Sequence, residues 1–522
     1  MIGMTYSTAD YDLWTMTKDK NIFEEVVDKI ILENSSNIDE KRKNAIFSST
    51  NKKDKRMAIL SLLDKDRNLF LKIKGLVNEE INRMEHIKDV ILMLREYVKV
   101  GEVEKKKYGE VMTPLELVKE MLNTLPEKVW SNPNLKWLDP ANGTGPYPVM
   151  VIYKLMNGLK DWEPDDEKRY KHIVENMIYV CELQPKNMFL YMCAVDPFDK
   201  YKLNVYTGSF LDESFDKHMK DVWQVDKFDI GLGNPPYQLE NTSEKSKTTS
   251  NVKLWRIFIE KSIININNDG YLIFVTPSSW ASGTKNPHNS TNLFNDIFKK
   301  LNTLYVSFDV NKFFRNIGVD FTYYLIQNCE YKGKTTFDDG YELDISILDL
   351  LPKKLNSTIF SIIKKIEKVE KMNFIMDRKD HYKGDLIDFQ DENYKYKVYC
   401  GSGKGILFSD KFSPFMNKRK IFTHRISTLK MISDNIGEIS TNYSQVLIIS
   451  DNEDAEYAKS LFSTKFYLFL YDLFKYTQYN EKINLNQLPK VSLNRHWTDE
   501  QLFEYFELTQ EERDIILNYD KK

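Results

Sequence analysis

The texture of residues 108–330 constrains this chain more than any other feature. Short β-rich runs alternate there with stretches of helical periodicity. The runs are Trp137-Leu138, Ile178 to Cys181, Asn204 to Tyr206, Phe228 to Leu232, Tyr271 to Val275, Leu304 to Phe308 and Phe321 to Ile326. Several are apolar throughout. A strand with one wet face alternates polar and apolar residues, so a continuously apolar strand has both faces covered. Such runs separated by helices predict a doubly wound, mostly parallel α/β domain.

The flanking regions read differently. At roughly 150 residues per domain, a chain of 522 residues suggests two to four domains. Residues 1–107 are expected to be helical, with Ile22, Phe23, Val26, Val27, Ile30 and Ile31 at helical spacing, and then Ile81, Met84, Ile87, Ile91 and Leu94. Between these sets, Lys41 to Arg56 carries seven basic residues and one acid, Asp54. It reads first as a solvated linker and second as a nucleic-acid contact. Glu104-Lys105-Lys106 fits a nuclease-like E-x-K triplet only formally and reads as a charged linker. A connector helix is predicted over Leu355 to Met372, within a connecting region 331–372. Residues 373–522 then predict a mixed α+β region: short strands, the glycine-rich stretch Gly401 to Gly405, and two closing helices. Thr498 with Gln501 and Thr509 with Glu512 fit capping boxes there.

Composition excludes several classes. Hydrophobic residues at 42% and charged residues at 29% fit a packed globular chain and not a disordered one. The apolar stretch around Leu468 is broken by Lys465 and Asp472, short of a membrane span. Asp10 and Asp12 with no apolar h-region argue against a signal peptide. Four cysteines without metal-ligand spacing fit a reducing compartment, and Cys181 and Cys193 read as buried thiols. A cytoplasmic protein is expected. With 74 basic and 77 acidic residues, binding to nucleic acid requires locally concentrated positive charge.

Three motifs carry chemistry. Asp139-Pro140-Ala141-Asn142-Gly143-Thr144-Gly145 follows one run and precedes an apolar helix, so its glycines let a ligand approach the backbone. A tight βα turn would look the same. Glu182 ends the next run, where a carboxylate accepts from two vicinal ribose hydroxyls; a surface acid is the plainer alternative. The third is Asn234-Pro235-Pro236-Tyr237, after Phe228 to Gly233. Two prolines stiffen the loop. The Asn234 side-chain oxygen and the Pro235 carbonyl can then face one point, which suits a planar NH2 group, and Tyr237 supplies a face for a flat ring.

With these residues in place, the chain resembles the gamma class of S-adenosylmethionine-dependent adenine-N6 DNA methyltransferases, the NPPY family of restriction-modification type. Tyr108 to Pro114 is similar to the motif at the methionine end of the cofactor. Asp139 to Gly145 is similar to the family's D-P-A-C-G-S-G loop, with Asn142 and Thr144 replacing Cys and Ser. Ser209-Phe210 falls where the family often has Asp before an apolar residue. The resemblance implies a seven-stranded methyltransferase sheet over 108–330 and a C-terminal target-recognition domain over 373–522. It implies S-adenosyl-L-methionine as cofactor, held by Thr113, Pro114, Asp139, Ala141, Gly143, Gly145, Glu182 and Phe210. It implies catalysis by Asn234, Pro235, Pro236 and Tyr237 on an adenine flipped out of double-stranded DNA, with no metal. Phe314 and Phe321 are candidates for the second face of the base, although Phe321 reads more simply as a core strand residue. The polar loop Glu240 to Asn251 reads equally as a closing segment and as an ordinary loop.

Positive charge concentrates in Lys411 to Lys430, which has six basic residues and no acid. Lys418, Arg419, Lys420 and Arg425 are expected on phosphates, and Tyr479 and Asn480 on base edges. A solubilising edge of a β region is the alternative. The implied setting is a bacterial, archaeal or phage-infected cell, with a separate cognate restriction endonuclease as a possible partner. Methylation of RNA or of a protein glutamine amide, a bifunctional restriction-modification chain, and a non-catalytic nucleic-acid-binding subunit are the competing readings.

Overall fold

The computed structural model describes residues 113–196, 200–237, 253–283, 292–314, 320–377, 386–400, 405–425, 429–476 and 479–519. The expectations for residues 1–107, Tyr108 to Met112, Glu240 to Asn251, Gly401 to Lys404, and Thr477 with Gln478 lie outside the described residues.

All seven β-rich runs are strands of one sheet. They are β1 Trp137–Asp139, β2 Ile178–Glu182, β3 Asn204–Thr207, β4 Phe228–Gly233, β5 Ile266–Pro277, β6 Leu301–Ser307 and β7 Phe321–Glu330. Their spatial order is β3-β2-β1-β4-β5-β7-β6. The pairs β2/β3, β1/β2, β1/β4 and β4/β5 are parallel. β7 is antiparallel to both of its neighbours. The link from β6 to β7 explains this. Its described residues carry only the short turn Asn311–Phe313, whereas a parallel neighbour requires a long crossover, usually a helix.

The sheet is wider than the seven strands expected. β8 Thr335–Phe337 pairs with β6, and β9 Glu342–Leu343 pairs with β8. These short strands cover the edge that β6 would otherwise expose, so the sheet runs past residue 330.

Strand alternation divides the core into two faces. Trp137, Val180, Ile230, Ile273 and Tyr323 belong to one apolar cluster. Leu138, Cys181, Leu272, Phe274 and Tyr324 belong to the other. Helices α1 Leu115–Asn123, α2 Pro146–Gly158, α3 Asp166–His172 and α4 Pro185–Val195 bury side chains in the first cluster or beside it. Helices α5 Glu213–Asp221 and α6 Leu254–Asn265 pack on the second. Each strand therefore buries both faces, which is why the runs read as continuously apolar.

The connector helix is α7 Ser357–Ile366, shorter than expected. Asn356 caps it by accepting from the Ile359 N–H at 2.8 Å. Beyond Val369 the backbone groups bond elsewhere. The Met372 N–H donates to the Leu488 carbonyl at 2.9 Å, and the Lys490 N–H to the Glu370 carbonyl at 2.6 Å. The chain there pairs with a distant segment, and the helical ladder stops.

The remainder holds two small sheets. One has the order β10-β16-β13-β14, from β10 Ile375–Met376, β13 Lys420–His424, β14 Ile432–Asp434 and β16 Ser444–Ile448. The other is β12-β11-β15, from β11 Tyr396–Cys400, β12 Gly405–Ser409 and β15 Ile439–Thr441. Helices α8 Ala455–Leu461, α9 Lys465–Phe474, α10 Lys482–Leu485, α11 Asp499–Tyr505 and α12 Gln510–Leu517 follow. Both expected capping boxes are formed. Among the described residues no helix is long and apolar enough to cross a membrane.

Candidate active site

The strand order reverses between β1 and β4, because β2 and β3 lie on one side of β1 and β4 on the other. At such a switch point the loops leaving the two strands part and open a crevice. The Asp139–Gly145 loop leaves β1, and the Asn234–Tyr237 loop leaves β4. Leu138 and Gly231 are register partners, so both loops emerge from the same edge of the sheet.

Two glycines let these loops meet. Gly233 has φ +150°, and a Cβ on it would lie 2.9 Å from Asp139 Oδ1. Gly145 has φ +93°, and a Cβ there would sit 2.4 Å from the Tyr191 ring. Neither position accepts a side chain without displacing its neighbour. Gly145 also caps α2, whose first residue is Pro146.

The β1 loop is held from the β2 side. The Asn142 N–H donates to the Cys181 carbonyl at 2.9 Å, and the Gly143 N–H to Glu182 Oε2 at 2.7 Å. Glu182 Oε1 accepts from the Gln184 N–H at 2.8 Å. Asp139 Oδ1 accepts from the Ala141 N–H at 3.0 Å, while Oδ2 is buried without a hydrogen-bond partner. Burial pushes the Asp139 carboxyl well above its ordinary range. The Ala141 N–H works against that shift, and the Glu182 charge adds to it. Asn142 Oδ1 is a second buried acceptor without a partner. The β1 and β2 ends therefore present acceptors and negative charge.

At the β4 end Asn234 is held at both ends of its amide. Its Nδ2 donates to Thr113 Oγ1 at 3.0 Å, and its Oδ1 accepts from the Tyr237 hydroxyl at 2.6 Å. Tyr237, expected only as a stacking face, thus also hydrogen-bonds the neighbouring amide. Its ring meets Phe321 at 5.0 Å between centroids. Phe321 is buried in the core and packs on Tyr237 itself, so it does not stand opposite it. Phe314 touches Phe321 at 5.2 Å and is half-buried.

The other expected cofactor residues divide. Thr113 and Pro114 lie directly before α1, with Thr113 against Asn234. Phe210 is buried against Phe215 and Phe258, with the Lys261 ammonium 5.2 Å from its ring centroid. Sequence reasoning missed Leu183, which directly follows Glu182 and is 50 % exposed. An apolar residue at that position beside a strand-ending acid was the available signal. It also missed Tyr147, in the first turn of α2 and fully buried beneath the site.

Among the expected DNA-contact residues, the buried Lys420 and Asn480 require correction. Lys420 is 0 % exposed and pairs with Asp434 at 2.5 Å inside the four-stranded sheet. It lies on β13, whose described residues are buried except His424, so its ammonium cannot reach a phosphate. Asn480 is also 0 % exposed; its Nδ2 donates to the His424 carbonyl at 2.8 Å, and it reads no base edge in this fold. Arg419 is turned inward, donating to the Asp451 carbonyl at 3.0 Å and to the Glu453 carbonyl at 2.5 Å. Arg425 pairs with Glu481 at 2.7 Å and lies over the Tyr479 ring. Of the residues expected on phosphate, Lys418 is exposed, as are Lys411 and Lys430 at the ends of the run.

The sheet is mostly parallel with an antiparallel seventh strand, and it carries these two loops at its switch point. Residues 157–330 match the family model of the Eco57I restriction-modification methylase. An uncharacterized adenine-specific methylase of Mycoplasma pneumoniae is 26 % identical over 336 residues, covering 49 % of this chain and 77 % of that protein. Among solved structures, a nuclease-deletion mutant of the Type ISP restriction-modification enzyme LlaGI, in complex with a DNA substrate mimic, aligns at 12 % identity. The alignment has TM-score 0.47 and covers 99 % of this chain and 69 % of that one. Within residues 157–330 the chain is thus similar to the Eco57I restriction-modification methylase model, and over about half its length it is similar to an adenine-specific methylase.

Proposed function

We propose that this chain is a site-specific DNA methyltransferase of a restriction-modification system, moving a methyl group from S-adenosylmethionine to N6 of an adenine flipped out of duplex DNA. The observation that carries the reading is the placement of Asn234. Its side-chain oxygen stands at the carboxyl end of β4, beside the buried acidic loop of β1.

The residues at the β1 and β2 ends fit the cofactor. S-adenosylmethionine carries a sulfonium and an ammonium, and the buried Asp139 and Glu182 carboxyl groups suit a cationic ligand. The unpartnered Asp139 Oδ2 and Asn142 Oδ1 offer further acceptors. Glu182 suits the ribose hydroxyls, and half-exposed Leu183 suits a flat ring face. Once bound, the cofactor supplies a methyl group already activated for transfer.

The chain's own residues then act on the acceptor amine. The lone pair of an aromatic amine is delocalised into its ring. Accepting hydrogen bonds at Asn234 Oδ1 and the Pro235 carbonyl draw the amine hydrogens toward fixed points and localise that pair on nitrogen. These bonds strengthen as positive charge develops there, which is the differential stabilisation that catalysis needs. The Tyr237 hydroxyl now occupies Asn234 Oδ1, so the incoming amine replaces it. Holding the base on the Tyr237 ring supplies proximity. Exposed Lys411, Lys418 and Lys430 serve phosphates, residues 373–522 contribute target recognition, and Phe314 is the remaining candidate for the far face of the base.

The test is incubation of the protein with S-adenosylmethionine and unmodified plasmid DNA, followed by sequencing that detects modified bases. N6-methyladenine confined to one sequence context is expected. Methyl groups recovered only on RNA or protein, or on no substrate, would refute the reading.

A further inference from the structure

Hydroxyls engage both ends of the Asn234 amide. The Tyr237 hydroxyl donates to Asn234 Oδ1 at 2.6 Å, and Asn234 Nδ2 donates to Thr113 Oγ1 at 3.0 Å. The Tyr147 hydroxyl lies beside Thr113 and donates to Met121 Sδ at 3.4 Å. A thioether has no proton to give, so Tyr147 spends its proton there and offers Thr113 only an acceptor. That favours a Thr113 hydroxyl that accepts from the NH2 end of the amide, with the oxygen end toward Tyr237.

We propose that Thr113 is a positioning residue for methyl transfer, locking the Asn234 amide with its oxygen toward the acceptor amine. This rests on the methyltransferase reading and deepens it. Thr113 stands before α1 and Asn234 after β4, 121 positions apart, so the contact belongs to the tertiary structure. Met121 and Tyr147 are buried in the cluster on that face of the sheet, which keeps water from replacing either partner. With the lock removed, an amide oxygen and an amide nitrogen differ little in shape, and the flipped amide would offer protons to an amine that needs an acceptor. The role differs from the cofactor contact that the sequence resemblance implies for Thr113. A cofactor ligand acts on affinity for S-adenosylmethionine, whereas a lock on Asn234 acts on the rate at saturation.

The experiment compares wild type, Thr113→Val, Thr113→Ser and Tyr147→Phe. Single-turnover methyl transfer is measured at saturating plasmid DNA and S-adenosylmethionine, and cofactor affinity is measured by calorimetry on the DNA-free protein. Thr113→Val keeps the shape and loses the acceptor, and should slow transfer at least about tenfold, as loss of supporting contacts behind a functional ligand does, with cofactor Kd within about twofold. Thr113→Ser restores the acceptor and should return the rate to within about threefold of wild type. Tyr147→Phe frees the Thr113 hydroxyl to turn and should slow transfer in the same direction. An unimpaired rate in Thr113→Val, a defect confined to cofactor Kd, or a serine variant as slow as the valine one overturns the proposal. If Thr113→Val does not fold, an unchanged rate in Tyr147→Phe overturns it alone. A wild type that methylates no DNA sinks the methyltransferase reading and this inference together. A normal wild type beside an unimpaired Thr113→Val sinks only the inference.

Discussion

Asn234, Asp139 and Glu182 stand at the ends of β4, β1 and β2 around one crevice, and each makes a separate prediction. Asn234→Ala removes an acceptor that matters most as charge develops, so methyl transfer should fall by about 10²–10³-fold, with cofactor affinity retained. Tritium transfer at near wild-type rate would remove Asn234 from the reaction. Glu182→Ala takes away a carboxylate and also frees the Gly143 N–H that it holds at 2.7 Å. Cofactor binding should weaken by about 1.5–3 kcal/mol, the range for hydrogen bonds to charged groups, as read by calorimetry. Asp139 gives a pH dependence. Its carboxyl is held above the ordinary range, chiefly by burial, so it takes up a proton at a pH where an exposed aspartate is still ionised. Protonation removes negative charge facing a cationic cofactor. Affinity should therefore decline on acidification over pH values at which an exposed aspartate is still ionised, above about 3.9, and Asp139→Asn should flatten that decline. Calorimetry across that range decides it, and an equal slope in both proteins would refute the assignment.

Among the elements, β13 and β14 show how a buried pair is arranged. Asp434 accepts from the Gly437, Glu438 and Ile439 N–H groups at 2.8, 3.1 and 2.9 Å, in addition to Lys420. Lys420 has, besides Asp434, the Lys418 carbonyl at 3.1 Å. Removing one partner thus has unequal consequences. Asp434→Asn strands an ammonium in the core and should cost about 3–5 kcal/mol, whereas Lys420→Met leaves a carboxylate with three donors and should cost less. Denaturant unfolding of the two variants tests the order. Burial acts to raise Asp434, but Lys420 and the backbone donors outweigh it, and the carboxyl lies below its ordinary range. A lowered carboxyl contributes stability that is present above its unfolded value, about 3.9, and is lost as pH falls through the folded value. Wild type should therefore lose stability in acid more steeply than Asp434→Asn does.

Across the whole molecule one apolar cluster joins the sheet to the C-terminal helices. It contains Leu138 and Phe274 of the sheet, Ile362 of α7, Phe466 and Leu470 of α9, and Ile516 of α12. Lys365 of α7 reaches the buried Glu512 of α12 at 2.6 Å across that junction. The connector is therefore part of the packed body, and the C-terminal helices are braced against the large sheet. DNA binding should follow the charges this packing leaves outside. Replacing Lys411, Lys418 and Lys430 with Gln should weaken binding to all sequences and reduce the salt slope by up to about 0.9 per lost phosphate contact. Arg419→Ala should instead lower thermal stability, because that guanidinium holds the Asp451 and Glu453 carbonyls. Binding of cognate and scrambled duplexes across a salt series separates the two outcomes. An unchanged slope in the triple variant would move the DNA path elsewhere.

Local sequence sufficed for whatever local sequence controls. Continuous apolar runs specified the buried strands, because burial on both faces leaves no polar alternation. The Asp139–Gly145 turn, the Asn234–Tyr237 loop and the two capping boxes were legible because each is a short-range pattern whose backbone geometry follows from its own residues. Charge counted along the chain did not give exposure. Lys418, Arg419 and Lys420 are consecutive, yet the first faces solvent, the second folds onto carbonyls and the third pairs inside a sheet. Strand direction turns alternate side chains to opposite faces, and only the neighbouring strands decide which face is wet. The same limit applies to Thr113 and Tyr147. Their link to Asn234 crosses from α1 and α2 to β4 and exists only once the sheet has closed, since a hydrogen bond between residues 121 positions apart has no local pattern to announce it.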